Sequence, residues 1–238
     1  MSDAGGTRVW ITRTAPGADR TAEAVRALGF DPVVAPLLEV RPLTKAGNDL
    51  KFDDVSALAF TSVNGLLFAD LTPRRDWPVF AVGDRTAGAA RERGFTDVRS
   101  AGGNADDLAA LIASEWVARG LAREPGVLLV PEAAAPAVDM VGLLAGRVPV
   151  RSVAVYETVP TQAPTPADFD IVLIHSARAA EALARRLDPG MVGHRIAVAL
   201  SPQAARPLEA LGFADLRIAA RPDETSLLAA LGKPGPAV

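Results

Sequence analysis

Ala81-Val82-Gly83-Asp84 leads through an alanine-rich stretch to Gly94-Phe95-Thr96-Asp97-Val98-Arg99, and Ala199-Leu200-Ser201-Pro202 leads in the same way to Gly212-Phe213-Ala214-Asp215-Leu216-Arg217. Each reads as strand, turn, helix, Gly-Phe corner and strand, and corresponding positions lie about 118 residues apart. At nearly the same spacing Val9-Trp10-Ile11-Thr12 matches Val127-Leu128-Leu129-Val130, Gly29 and Pro32 match Gly146 and Pro149, and Phe60-Thr61-Ser62 matches Ile174-His175-Ser176. The chain therefore carries one α/β unit twice. Working outward, short β-branched or apolar runs alternate with stretches of helical period, a β-α path repeated about eight times, as parallel sheets require. Strands are expected at 8–12, 32–35, 57–61, 79–82, 97–100, 127–130, 149–155, 171–174, 196–199 and 216–219. Helices are expected at 17–28, 63–71, 85–93, 105–118, 134–145, 177–187, 202–211 and 224–231.

With 238 residues, 49% apolar and 22% charged, the chain has the composition of a globular protein with room for two modest cores. Its longest apolar runs, such as Val127–Val130, are far too short to span a bilayer. The stretch from Met1 to Gly6 has neither a basic nor an apolar export region, so the expected location is the cytoplasm. No cysteine is present, and His175 and His194 stand 19 residues apart, without metal-ligand spacing. A metalloenzyme or a Ser-His-Asp hydrolase is not expected. A net charge of −3 argues against nucleic acid and anionic membrane as partners, so an anionic ligand must be held by local donors.

Two proline-flanked segments, 35–42 and 153–166, occupy equivalent places in the repeats and read as extended connectors between two domains, with a ligand cleft between them. The informative residues end the strands. In open parallel sheets ligands bind beyond the carboxyl ends of the strands, where helix N-termini present unpaired N–H groups. Here those ends carry Thr12-Arg13-Thr14, Thr61-Ser62-Val63-Asn64-Gly65, Gly83-Asp84-Arg85-Thr86, Gly102-Gly103-Asn104, His175-Ser176-Ala177-Arg178 and Ser201-Pro202-Gln203. The same residues suit helix capping: Ser62, Asp84, Asn104, Ser176 and Ser201 are good N-caps, Asn104 with Asp107 resembles a capping box, and Pro202 fits a first helical position. A cap at the rim of a ligand site can serve both ends. No G-x-G-x-x-G or Walker pattern is present, so no nicotinamide, flavin or ATP cofactor is expected. Tyr156, the only tyrosine, follows the run Val153-Ala154-Val155; a phenol there can donate a proton to a leaving oxygen or pack as an amphipathic residue at a domain boundary.

Taken in order, Ile11-Thr12-Arg13, Phe60-Thr61-Ser62-Val63-Asn64-Gly65, Ala81-Val82-Gly83-Asp84-Arg85-Thr86-Ala87 with Gly94-Phe95, Gly103-Asn104-Ala105 with Leu108-Ala109, and Val155-Tyr156-Glu157-Thr158-Val159-Pro160 resemble the uroporphyrinogen-III synthase family from about Val9 to Leu231. The resemblance implies two flavodoxin-like α/β domains: 1–36 with 160–238, and 42–152, joined by a two-stranded ladder of 37–41 and 153–159. It implies a cofactor-free, monomeric enzyme whose substrate is hydroxymethylbilane, a linear tetrapyrrole with eight carboxylates, closed into a ring with inversion of ring D and loss of water. Tyr156 is then the acid for the departing hydroxyl, and Thr12, Arg13, Ser62, Asn64, Gly83, Thr86, Asn104, Ser176, Ser201 and Pro202 are the substrate-binding set.

Two features depart from the family pattern. The second Gly-Pro-x-Thr-Ala turn reads Ser201-Pro202-Gln203-Ala204-Ala205, losing a hydroxyl, and an Arg-Gly turn reads Pro131-Glu132, losing a cation. They favour the alternative of a non-catalytic ligand-binding or regulatory module on the same fold. A binder of another polyanion, such as a sugar phosphate, would leave Tyr156 and the connectors unexplained.

Overall fold

A computed structural model of the chain describes residues 6–15, 17–43, 51–121 and 126–234; the first five residues, on which the absence of an export region was partly read, lie outside them. The chain divides into two compact units, one of residues 1–39 with 159–238 and one of 40–158.

Unit 1 is built on a five-stranded parallel sheet. In chain order its strands are β1 (Arg8–Ile11), β2 (Asp31–Val34), β9 (Ile171–Ile174), β10 (Ile196–Ala199) and β11 (Asp215–Ile218), arranged β11-β10-β9-β1-β2. The sequence encodes this directly, because a parallel strand covered on both faces reads as an unbroken apolar run. All four residues of β9 are buried. Alternate residues serve opposite faces: Trp10, Val172, Ile174, Ala197 and Ala199 belong to one core and Val9, Ile11, Ile171, Leu173 and Val198 to the other. The covering helices include α1 (Gly17–Ala27), α5 (Ala177–Ala184), α6 (Pro202–Ala205) and α7 (Glu224–Ala229).

Unit 2 has a six-stranded sheet in the order β3-β8-β7-β4-β5-β6, with β3 (Leu38–Pro42), β4 (Val55–Phe60), β5 (Val79–Ala81), β6 (Val98–Ser100), β7 (Val127–Ala133) and β8 (Val150–Pro160). Its helices are α2 (Asp84–Glu92), α3 (Ala105–Ala118) and α4 (Met140–Leu144), with a 3-10 helix over Val63–Leu71. The connector residues 37–41 and 153–159 lie largely within β3 and β8. Leu43 N–H donates to Val155 and Thr161 N–H to Leu37, at 2.9 and 3.0 Å. One segment retreats as the other advances, so the two run antiparallel.

Three expected helices differ; the stretch 202–211 is α-helical only over Pro202–Ala205 and continues as a 3-10 helix over Arg206–Leu211. The stretch 134–145 is helical only over Met140–Leu144, where Asp139 caps Gly142 N–H. β7 runs on to Ala133, and Pro136 disfavours helical backbone at the residue before it. The stretch 63–71 is 3-10 rather than α. Both Gly-Phe corners end a helical segment with a left-handed backbone, φ 87° at Gly94 and 76° at Gly212, a conformation that costs a residue with a Cβ about 1 kcal/mol or more.

The strand orders also fix where each sheet changes direction. In unit 1 the chain goes from β1 outward to β2, then from β9 outward to β10 and β11, so the reversal lies between β1 and β9. In unit 2 it goes from β4 to β5 and β6, then from β7 to β8, so the reversal lies between β4 and β7. Two strand-to-helix connections diverge at such a point and leave a crevice beyond the carboxyl ends.

Candidate functional site

In unit 2, β4 ends at the turn holding Ser62 and Asn64. Ser62 Oγ accepts from Asn64 N–H at 3.2 Å and caps the 3-10 helix. The next turn differs, because Gly83 caps α2 without any side-chain hydrogen bond. Its φ of −157° is extended, and a Cβ there would meet nothing within 4 Å. Neither backbone nor packing demands glycine there. Thr86, one turn into α2, is only 5% exposed, and its hydroxyl has no hydrogen-bond partner among the described residues. Asn104 is committed to a full capping box with Asp107, accepting from Asp106 and Asp107 N–H while Asp107 accepts from Asn104 N–H.

Tyr156 stands on β8 opposite Ala133, the last residue of β7, which puts it level with the carboxyl edge of the sheet. The residue is 7% exposed and belongs to the cluster containing Phe60, Leu66, Phe68 and Leu129. The hydroxyl makes no hydrogen bond among the described residues, yet it is not one of the unpartnered polar atoms sealed from solvent. An apolar body with an uncommitted, reachable O–H can deliver a proton to a bound ligand. On the neighbouring strand Glu132 is half-buried. Burial raises its pKa, Ser152 opposes this by hydrogen bonding, and the charge of Asp139 adds to the rise.

In unit 1 the hydroxyls are mostly occupied. Ser176 Oγ accepts from Ala179 N–H and Ser201 Oγ from Ala204 N–H, capping α5 and α6 with Pro202 at the first helical position of α6. Thr12 corrects the expectation that it offers its side chain to a ligand: it is fully buried, and its hydroxyl donates to the Leu173 carbonyl at 2.6 Å. That bond ties β1 to β9.

Sequence reasoning missed the polar cluster beside it. Arg13 Nη1 donates to Glu224 Oε2 at 2.8 Å, Thr21 Oγ1 donates to Glu224 Oε1, and His175 Nε2 lies 3.3 Å from Oε2. The His175 side chain is 10% exposed, and both its ring nitrogens are sealed from solvent without a hydrogen bond among the described residues. Burial pulls the Glu224 pKa upward, but His175, Thr21 and the charge of Arg13 outweigh it and hold the carboxyl down from 4.5 to about 2. Because the folded-state pKa is depressed, this stabilisation is complete above the ordinary carboxylate range and is lost as pH falls toward 2. Glu224→Gln should cost about 1–2 kcal/mol at neutral pH, a value discounted for the half-exposed position. In urea titrations the gap from wild type should close between about pH 5 and pH 2; a gap independent of pH would show that the charge of Glu224 contributes nothing.

Among the described residues no helix is long and apolar enough to cross a membrane. The family model described as uroporphyrinogen-III synthase HemD matches residues 19–229. Among solved structures, the uroporphyrinogen-III synthetase of Helicobacter pylori 26695 is 17% identical, with 94% of this chain and 96% of that one covered and a TM-score of 0.62. A mutant uroporphyrinogen III synthase from the extremely thermophilic bacterium Thermus thermophilus is 16% identical over 94% and 96%, with a TM-score of 0.48. At these identities the first likeness speaks for the fold, α/β with parallel sheets. No curated protein matches. The family match spans nearly the whole α/β framework just described, and the chain belongs to the uroporphyrinogen-III synthase family.

Proposed function

We propose that the chain closes hydroxymethylbilane into uroporphyrinogen III, inverting ring D and releasing water, in tetrapyrrole biosynthesis. The observation that carries the assignment of roles is the Tyr156 hydroxyl, without a partner among the described residues and level with the carboxyl edge of the unit 2 sheet. Tyr156 gives its proton to the terminal hydroxyl. The C–O bond breaks, water leaves, and the bilane becomes an azafulvene. Ring D attacks through its substituted carbon to form a spiro intermediate, which fragments and recloses with ring D inverted, and the proton lost on rearomatisation restores the phenol. No electrons are exchanged with a cofactor, and the protein's tasks are to assist the departure and hold one conformer. Substrate carboxylates are received by strand-end donors: the N-terminus of α2 at Gly83 with Thr86, the turns at Ser62, Asn64 and Asn104, and in unit 1 Arg13 with the backbone of the turns at Ser176, Ser201 and Pro202.

The same reading makes the two units flavodoxin-like domains joined by the ladder of 37–41 with 153–159, and makes the molecule one α/β unit used twice. The matching orders β9-β10-β11 beside β1-β2 and β4-β5-β6 beside β7-β8 support it. It also makes the protein a cytoplasmic monomer.

The test is to supply freshly generated hydroxymethylbilane, oxidise the products and separate the type I and type III isomers. Type III porphyrin is expected, whereas only type I, the product of spontaneous closure, would overturn the function. Within the same assay Thr86→Val should raise KM about 3- to 10-fold, the worth of one hydrogen bond of roughly 1 kcal/mol. Its Tm should hold or rise, because the hydroxyl has no partner to lose among the described residues. An unchanged KM would remove Thr86 from the binding set.

A further inference from the structure

Gly17, the first residue of α1, is buried and has no left-handed φ, so its backbone would accept any residue. A Cβ placed on it would stand 2.5 Å from Arg13 Nε, 2.7 Å from Cζ and 2.8 Å from Nη2. Glycine is needed here for the guanidinium alone. Arg13 is held by its other nitrogen: Nη1 donates to Glu224 at 2.8 Å and lies 3.4 Å from Thr21 Oγ1. Nε and Nη2 make no hydrogen bond among the described residues, and the side chain is 28% exposed. The tether at Nη1 thus leaves free the Nε–Nη2 edge, the pair of parallel donors that grips a carboxylate with two bonds.

The position of this edge gives it meaning. Arg13 follows β1, and His175, which approaches the same Glu224 Oε2, follows β9. The cluster stands at the reversal point of the unit 1 sheet, where a parallel sheet places its ligand. A half-buried ion cluster is weak evidence for stability, since desolvation offsets most of the attraction. A fold needing only a link between β1 and β9 already has the Thr12 to Leu173 hydrogen bond.

We propose that the Nε–Nη2 edge of Arg13 is a two-bond receptor for one carboxylate of the substrate, with Gly17 as the positioning residue that keeps the guanidinium in place and Glu224 as its tether. The ligand group is an anion because the edge offers two parallel, permanently charged donors and no acceptor, and the anionic groups of the proposed bilane substrate are carboxylates. Lysine cannot replace it, having the charge without the fork. The inference rests on the proposed cyclisation and assigns a specific pair of atoms to it.

The experiment compares kcat and KM for type III formation from hydroxymethylbilane in the wild-type full chain, Gly17→Ala, Arg13→Lys and Arg13→Gln, with Tm measured for each. Arg13→Lys and Gly17→Ala are expected to raise KM at least tenfold with kcat within about twofold, and Arg13→Gln to raise it further. Because Gly17→Ala strains the start of α1 and can lower Tm, Arg13→Lys, which introduces no clash, decides the matter. Wild-type KM in Arg13→Lys, or a fall in kcat at constant KM, overturns the receptor. A wild-type chain yielding only type I product overturns the cyclisation reading instead, so the two failures are told apart.

Discussion

Tyr156→Phe should lower kcat for type III formation by about 10²- to 10⁴-fold, the usual worth of general acid catalysis, with KM little changed. The change deletes one oxygen and leaves the ring of a residue that packs in an apolar cluster and is 7% exposed. The hydroxyl has no hydrogen-bond partner among the described residues, so its removal breaks nothing in the fold, and Tm should stay the same or rise. Activity and stability then move independently, which is how a functional hydroxyl differs from a structural one. Residual activity is expected, because water can still protonate the departing hydroxyl and the remaining donors still hold the bilane. A kcat equal to wild type would remove Tyr156 as the acid. A loss of Tm matching the loss of rate would make it a packing residue.

The strands were legible because parallel strands buried on both faces leave unbroken apolar runs, as in Ile171–Ile174 and Leu128–Val130. Turn chemistry was legible too, since Asn104 with Asp107 forms the capping box its spacing announced. The direction in which a strand-end side chain turns was not. Thr12 and Thr86 look alike as buried hydroxyls near strand ends, yet one donates to Leu173 and the other has no partner among the described residues. Nothing local separates them, because the difference is set by a neighbouring strand distant in sequence. The Arg13–Glu224 pair spans 211 positions, and in the sequence Glu224 is only an acidic residue in the first turn of a short helix, where the helix dipole already explains it. Gly17 likewise reads as an ordinary helix start until the guanidinium beside it is seen.

Gly65→Ala is expected to be the most damaging single-methyl change in unit 2. The added Cβ would lie 2.7 Å from the Pro131 carbonyl oxygen and 3.1 Å from Phe60 Cδ1. Pro131 cannot retreat, because it sits in β7 opposite Val153 of β8, and Phe60 is fully buried at the end of β4. The 3-10 helix must therefore lift away from β7. Overpacking of this kind costs about 1–3 kcal/mol, which corresponds to a fall in Tm of roughly 2–10 °C for a chain of this size. The contact lies at the reversal point between β4 and β7, so the displaced segment carries Ser62 and Asn64 with it. KM for hydroxymethylbilane should rise in step with the lost stability, since the same wedge sets both. Gly88→Ala is the control within the same unit. It lies inside α2 with nothing within 4 Å of its would-be Cβ, and replacing an unconstrained helical glycine should stabilise by about 0.5–1 kcal/mol. Opposite shifts in Tm for the two alanines, with KM raised only by the first, are the expected pattern. Equal and small shifts would mean that the 3-10 helix yields without resistance and that the close approach of Gly65 to Pro131 does not hold the Ser62 turn in place.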